Sequence, residues 1–190
     1  MRYRAESRGV GMKKLVTVLF VWLCSVSPSL ASQLNVDPYF ALGSTTMQAE
    51  VAGEKASAPS FYFAAGSTLN FLTPHLNAEF RFGFGGQYAN FNGSVKSYTM
   101  YLLKPQFGIT RNLDIYGLAG VTTMNVDAGG VSSTDTDTSY GLGLQYHVPN
   151  ESLSLTGEWM QYHTNTDDST TAISGMNISG ISVSVSFDYY

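Results

Sequence analysis

Apolar and polar residues alternate with a period of two along several stretches of this chain. In the clearest stretch, residues 76–84, Leu, Ala and Phe fall on one face, and the opposite face carries polar residues that include Glu79 and Arg81. The same alternation recurs in residues 141–148, 153–160 and 181–189. Side chains on one face of a β-strand have this spacing, so the pattern predicts strands with one apolar face.

Turn signals divide the chain into strand pairs. Short turns rich in Pro, Asn and Thr lie at residues 73–75, 110–112 and 149–151. Longer segments rich in Ser, Thr, Asp and Gly predict loops at 45–59, 89–94, 124–138 and 164–177, none of which predicts an extended β-ribbon. We therefore predict eight antiparallel strands, near residues 35–44, 60–71, 76–88, 95–107, 113–123, 139–148, 152–163 and 178–189.

The composition indicates which solvent the apolar faces meet. Charged residues make up only 13% of the chain, the mean hydropathy is −0.02, and the polar faces carry mainly Ser, Thr, Gly, Gln and Tyr. A soluble periplasmic β-protein, the alternative, needs more charge on its wet face. The pattern favours an inverted barrel with apolar residues toward lipid and polar residues toward a filled lumen. Aromatic residues near the strand ends predict interfacial girdles, formed by Phe71, Phe107, Tyr146 and Tyr189 at the short turns and by Phe61, Tyr88, Tyr98, Tyr140 and Tyr162 at the long loops.

The N-terminal segment predicts export from the cytoplasm. Two lysines, an apolar run over 15–26 and a small-residue site ending at Ala31 are typical of a signal peptide over residues 1–31. Met12 is a candidate for the true start. The run is shorter than the roughly 20 residues that a membrane-spanning helix needs. The barrel domain then covers residues 32–190, where 5 Lys or Arg against 13 Asp or Glu give a net charge of −8.

Charge and cysteine content exclude several classes of function. The whole chain has a net charge of −4 and no basic run beyond its N-terminus, which argues against nucleic-acid binding. Its single cysteine, Cys24, excludes a disulfide scaffold and a cysteine-rich zinc site. The acidic residues of the loops lack the spacing of a calcium-binding loop. We expect no metal site and no cofactor.

Several stretches resemble the transmembrane domain of OmpA in their order and spacing. Residues 104–120 (KPQFGITRNLDIYGLAG) resemble its fourth and fifth strands, 143–162 its sixth and seventh, and 181–189 its closing strand. The resemblance implies an all-β, eight-stranded antiparallel up-and-down transmembrane β-barrel of the OmpA/OmpX-like superfamily, located in the Gram-negative outer membrane. The chain ends after the eighth strand, so the peptidoglycan-binding domain of OmpA is not expected.

The resemblance also implies a polar network inside the barrel. Glu79, Lys104 and Glu158 match inward charged residues of the family, whereas Gln145 stands where a glutamate is expected. We expect Glu79 to pair with Lys104 on the adjacent strand. The complete predicted network consists of Glu79, Arg81, Lys104, Asp114, Gln145 and Glu158. A fixed polar plug is the favoured interpretation, and a regulated conductance is the alternative.

The C-terminus carries a predicted assembly signal. Family members commonly end on an aromatic residue in phase with the outward face, and Phe187, Tyr189 and Tyr190 form the corresponding segment, with Tyr189 in phase. The expected partners are therefore the barrel-assembly machinery and periplasmic chaperones during biogenesis, and outer-membrane lipids and lipopolysaccharide afterwards. We expect the folded protein to be a monomer.

The sequence favours a non-enzymatic role in envelope integrity or in surface contact of an adhesion type. A small gated channel or porin-like transporter is the alternative. A third hypothesis is an enzyme acting on lipid A, because His163 and Ser169 lie close together near the outer rim. The serine expected two residues after the histidine is absent, since Asn165 occupies that position. The sequence therefore predicts no catalytic residue.

Overall fold

A computed structural model shows a closed barrel of eight antiparallel strands in the order of the chain. It describes residues 36–51, 53–70, 72–88, 93–128, 131–164 and 176–188, so the predicted signal peptide, its cleavage site and Met12 lie outside the described residues. The strands are β1 (Val36–Val51), β2 (Glu54–Leu69), β3 (Leu76–Gly85), β4 (Gly93–Gly108), β5 (Leu113–Ala128), β6 (Val131–His147), β7 (Leu153–His163) and β8 (Met176–Asp188). Each strand pairs with its two neighbours, and β1 pairs with β8 to close the wall.

The apolar face of each strand points outward, as the alternation predicted. Ile181 and Val183 on β8 are 66% and 64% exposed, and Leu142 on β6 is 62% exposed. Beside these outward residues, the inward side chains of the same strands are buried and largely polar. The outward apolar positions lie opposite one another in register, as in Leu142 opposite Trp159 and Trp159 opposite Ile181. They form a continuous apolar belt around the barrel.

The three short turns lie where the sequence placed them. They connect β2 to β3, β4 to β5 and β6 to β7, and all three lie at one end of the barrel. Asn150, in the last of these turns, has a φ of 65°, a left-handed conformation that asparagine tolerates better than most residues. The described residues include no helix with the length and apolarity that crossing a membrane requires.

The prediction of loops at 45–59 and 124–138 is wrong, because the strands continue through these segments. β1 and β2 pair as far as Val51 opposite Glu54, and β5 and β6 pair as far as Ala128 opposite Val131. The strand residues 45–51, 54–59, 124–128 and 131–138 lie beyond the apolar belt, and we name them the head. Seven residues of β1 rise about 24 Å, or about 18 Å along the axis of a barrel with tilted strands.

The head has the opposite polarity from the belt. Its inward side chains on β1 and β5 include the buried apolar residues Met47, Ala49, Met124 and Val126, all at 3% exposure or less, whereas the inward face of β6 carries Asp135 and Asp137. Its outward residues, such as Gln48 and Thr136, are polar and exposed. β1 pairs with both β8 and β2 here, and β5 pairs with both β4 and β6. Two three-stranded sheets therefore enclose a small apolar core, as in a water-soluble β-protein.

Candidate functional site

Strand phase brings the predicted polar residues into the barrel. Glu79 and Arg81 occupy consecutive inward positions of β3, Lys104 lies on β4, and Glu158 lies on β7. All four side chains lie in the interior, and each residue is at most 6% exposed. Ions buried this deeply are stable only when they are paired and hydrogen-bonded, so their partners decide what this site can do.

Arg81 is the centre of the network. Its Nε donates to Oε1 of Glu79, its Nη1 donates to Oε1 of Glu158, and its Nη2 donates to Oε2 of Glu158 at 3.0 Å. The guanidinium carbon also lies 4.9 Å from the centre of the Tyr62 ring, within the range of a cation–π contact. One cation thus bridges two carboxylates from strands on opposite sides of the barrel.

Hydroxyl groups complete the hydrogen bonding of both carboxylates. Tyr39 donates to Glu79 Oε2 at 2.5 Å. Tyr116 donates to Glu158 Oε2 at 2.9 Å, and Ser182 donates to Glu158 Oε1 at 2.8 Å. Every oxygen of the two carboxylates therefore has a hydrogen-bond donor, as buried charged groups require.

The expected pair between Glu79 and Lys104 is wrong. Lys104 Nζ instead donates to Gln145 Oε1 at 2.8 Å and lies 4.1 Å from the centre of the Tyr116 ring. The register explains the difference, because Lys104 lies opposite Asn77 and is displaced from Glu79 toward the short turns. The carboxylate of Glu79 pairs with Arg81, which lies two residues away on the same face of β3. Gln145 is therefore a partner of the lysine.

Asp114 belongs to a separate cluster near the short turns. Its carboxylate accepts a hydrogen bond from Gln106 and lies 2.8 Å from Nε2 of His147. The other ring nitrogen of His147 lies 2.9 Å from Ser154 Oγ. The prediction placed Asp114 with the charges around Arg81, whereas the structure bonds it to His147. The inward phase of His147, on the same face as Gln145, is the signal that indicates this cluster.

Tyrosine rings fill the space between these groups, and each lies against a glycine of the adjacent strand. The pairs are directly opposite in register: Tyr39 with Gly66, Tyr62 with Gly43, Tyr98 with Gly83 and Tyr116 with Gly143. A Cβ at any of these glycines would lie 2.1–2.3 Å from a ring carbon, closer than atoms can approach. A cavity beside Arg81 and Lys104 has a volume of about 10 Å³, room for about one water molecule.

The prediction of an interfacial girdle is wrong for three residues. Tyr88, Tyr98 and Tyr162 are each 1% exposed and lie in the core of the barrel. Tyr98 shares the phase of Lys104 on β4, and Tyr162 shares the phase of Glu158 on β7, so both point inward. The girdle prediction holds for Phe61, Tyr140, Phe107 and Tyr146, which are 43–63% exposed. Phe71 and Tyr189 lie outside the described residues.

The histidine considered for lipid A chemistry lies beside two aspartates of β6. His163 Nδ1 is 3.2 Å from Asp137 Oδ2 and 3.9 Å from Asp135 Oδ2, and the histidine is buried. Ser169 and Asn165 lie outside the described residues. Within the part of the chain that the structure describes, no three His, Cys, Asp or Glu side chains are placed to hold one metal ion.

The C-terminal segment follows the predicted phase as far as it is described. Phe187 points outward and is 50% exposed, in line with Val183 and Ile181 on the same strand. It lies opposite Phe40 of β1 in register. Tyr189 and Tyr190 lie outside the described residues, so their role in assembly stays a prediction.

Comparison with known proteins decides the family. Residues 16–189 match the family described as "Outer membrane protein beta-barrel domain". This chain belongs to that family. As an outer-membrane barrel protein, it is located in the Gram-negative outer membrane, and its apolar belt faces lipid. Among curated protein sequences, none matches it.

Solved structures of small outer-membrane barrels share its fold. Neisserial surface protein A (NspA) is 14% identical with a TM-score of 0.61, and the match covers 80% of this chain and 97% of NspA. Ail of Yersinia pestis, in complex with the heparin analogue sucrose octasulfate, is 15% identical with a TM-score of 0.55, covering 81% and 99%. The N-terminal barrel of Pseudomonas aeruginosa OprF is 14% identical with a TM-score of 0.50, covering 78% and 97%. At these identities the likeness establishes the fold alone.

Proposed function

We propose that this outer-membrane barrel protein acts without catalysis, as a closed anchor that presents its head at the cell surface for contact with other molecules. The observation that carries the proposal is the architecture of the head. Its strands continue beyond the apolar belt, and residues such as Met47 and Met124 form a buried core there. Strands with their own core hold a fixed shape, which suits a recognition surface.

The filled interior argues against the alternative of a channel. The Arg81 cluster and the tyrosine rings packed among its charges fill the lumen at the level of the belt, and the apolar core of the head fills it above. An eight-stranded barrel is just wide enough for its side chains to fill, and the cavity of about 10 Å³ beside Arg81 does not admit a solute. We infer that the charged residues inside serve as a fixed plug.

The charge of the head limits the kinds of molecule that can bind to it. Among the described residues of the head and its flanks, the two lysines are paired: Lys55 lies 3.4 Å from Glu50, and Lys96 lies 2.7 Å from Asp127. Asp135 and Asp137 add further negative charge. This surface disfavours sulfated polyanions, the class of ligand present in the Ail complex. We propose cationic or uncharged partners, with lipopolysaccharide and outer-membrane lipids around the belt.

An attachment assay tests the proposed surface role. A variant with a shortened head, lacking 125–128 and 131–134, removes four paired residues from each strand of the β5–β6 hairpin and keeps its register. Cells that produce the wild type should attach to cultured epithelial cells or to each other more than cells with empty vector, and the shortened variant should lose this gain. Both proteins should still migrate as heat-modifiable barrels on SDS gels. Equal attachment by wild type, variant and vector would contradict the proposal.

Two further measurements separate the alternatives. Heparin-coated beads should not retain the purified wild-type protein at low salt, and retention would contradict the proposed partner class. Mass spectrometry of lipid A from overproducing cells should show an unchanged acylation pattern. A new or missing acyl chain would instead support the lipid A hypothesis.

A further inference from the structure

The methionines of the barrel domain all lie inside it. Residues 32–190 contain five methionines and no cysteine, so these thioethers are the sulfur atoms of the domain. The structure describes every one of them, and each is at most 8% exposed: Met47, Met100, Met124, Met160 and Met176. They belong to one cluster of buried apolar side chains that includes the core of the head. Oxidants that attack sulfur therefore find no exposed target on the folded domain.

Strand phase places these methionines in unlike surroundings. Met47 of β1 is fully buried and lies directly opposite Ala58 of β2 and Gly180 of β8. Neither of these two residues has a polar side chain. Met160 of β7 differs, because Nη1 of Arg81 donates a hydrogen bond to its Sδ at 3.5 Å. The sulfur of Met160 thus has a donor, whereas the side chains opposite Met47 provide none.

Oxidation of a thioether reverses its polarity. The sulfur attacks one oxygen of hydrogen peroxide, an S–O bond forms as the O–O bond breaks, and the second oxygen leaves as water after it takes up the proton of the first. The sulfur loses two electrons, and the peroxide gains them. The product is a polar sulfoxide. Burial of a polar group without a hydrogen-bond partner is costly, so sulfoxides disfavour a packed apolar core.

The methionines are accessible only before the barrel closes. Strands satisfy their backbone hydrogen bonds within a membrane as a closed barrel, so the packing that buries these side chains forms when the chain inserts. We propose that peroxide controls the assembly of this chain at that stage, by oxidising methionines that the folded barrel protects. The oxidised chain then folds with a lower yield, because its sulfoxides have to enter the core around Met47.

Peroxide treatment of the purified protein in two states tests the protection. One sample is refolded into detergent micelles, the other is unfolded in urea, and mass spectrometry of peptides measures the sulfoxide at each methionine. The folded protein should be oxidised at least about ten-fold more slowly, since access requires opening of the structure. Free methionine added to both samples is the control for the strength of the oxidant. Equal rates in the two states would overturn the proposal.

Refolding of the oxidised chain tests the consequence. The chain is oxidised in urea, freed of peroxide with catalase and diluted into micelles, and the folded fraction is measured by heat-modifiable migration. The yield should be at least about three-fold lower than that of the untreated chain, because the sulfoxides lack partners in the core. Methionine sulfoxide reductases, applied to the unfolded chain, should restore the yield. Normal refolding of the fully oxidised chain, or no recovery after reduction, would contradict the proposal.

Two single substitutions separate the methionine of the head from the one beside Arg81. Met47→Leu and Met160→Leu each remove one sulfur and nearly conserve the volume, so both untreated variants should refold like the wild type. After oxidation, Met47→Leu should recover more of the lost yield, because the sulfoxide of Met160 keeps its donor. Equal recovery, or greater recovery of Met160→Leu, would contradict the burial argument on which the proposal rests. If either untreated variant refolds poorly, the reductase comparison on the wild type decides.

Discussion

Arg81→Met tests how much the interior charge network contributes to stability. The substitution keeps an unbranched side chain and removes the cation that bridges Glu79 and Glu158. The side chains of both glutamates are at most 4% exposed, so two buried carboxylates lose their shared partner. Tyr39, Tyr116 and the lysine hydrogen-bonded to Gln145 cannot replace a bidentate guanidinium.

The expected loss follows from the burial and the number of bonds. Removing one partner of a buried ion pair typically costs about 3–5 kcal/mol, because an uncompensated charge remains. Glu158 accepts bonds from Tyr116 and Ser182 in addition to Arg81, whereas Glu79 accepts from Tyr39 and Arg81. We therefore expect Glu158→Ala to be more destabilising than Glu79→Ala. The triple variant Arg81→Met/Glu79→Gln/Glu158→Gln should recover part of the loss, since it has no unpaired charge.

Urea unfolding of the protein refolded into detergent micelles measures these free energies. Lys96→Met is the matched control, because Lys96 also pairs with a carboxylate but its side chain is 54% exposed. An exposed pair contributes at most about 1 kcal/mol. If Arg81→Met lost no more stability than Lys96→Met, the network would not be a stabilising plug, and the interpretation of the interior would be wrong.

Two further predictions concern packing and assembly. Gly143→Ala should destabilise the barrel by about 1–3 kcal/mol, because the added Cβ meets the Tyr116 ring, whereas Gly157→Ala, with no atom within 4 Å of its added Cβ, should be neutral in the same urea titration. Tyr189→Ser should reduce outer-membrane insertion, measured as the heat-modifiable fraction in outer-membrane extracts, and deletion of Tyr190 should not. Equal insertion of both C-terminal variants would mean that the phase assigned to the last strand is wrong.

The belt of the barrel could be predicted from the sequence because one physical rule governs it. In residues 76–84 and 181–189, apolar residues recur at every second position, which fixes both the strand and the face that meets lipid. The number of strands followed from three short turns that connect consecutive pairs. These features depend only on the spacing of residues along the chain, so they can be predicted without the three-dimensional structure.

The strands of the head could not be predicted by the same rule, because the polarity of their inner and outer faces is reversed. Beyond the membrane the outer face meets water, so Met47 and Ala49 point inward while Gln48 is exposed. The high content of Ser, Thr and Asp on the outer face therefore resembles that of a loop. Only the pairing of β1 with β2 and of β5 with β6 distinguishes a strand from a loop in these segments.

The partners inside the barrel depend on register, which the alternation does not determine. Lys104 is close to Glu79 along the predicted sheet, yet the observed pairing places it opposite Asn77. The phase of Tyr98 relative to Lys104, and that of Tyr162 relative to Glu158, does identify both tyrosines as inward residues. Strand phase is therefore a better guide than proximity to a strand end for assigning girdle aromatics.

Single-channel recording in planar lipid bilayers tests most directly whether the interior is closed. The purified, heat-modifiable wild-type protein should produce no stable conductance of porin size, because side chains fill the lumen from the Asp114–His147 cluster to the core of the head. The Arg81→Met variant should also give none, since the tyrosines and the apolar head still obstruct the lumen. A stable, reproducible pore of porin size in the wild type would contradict the closed-anchor account and support the channel alternative.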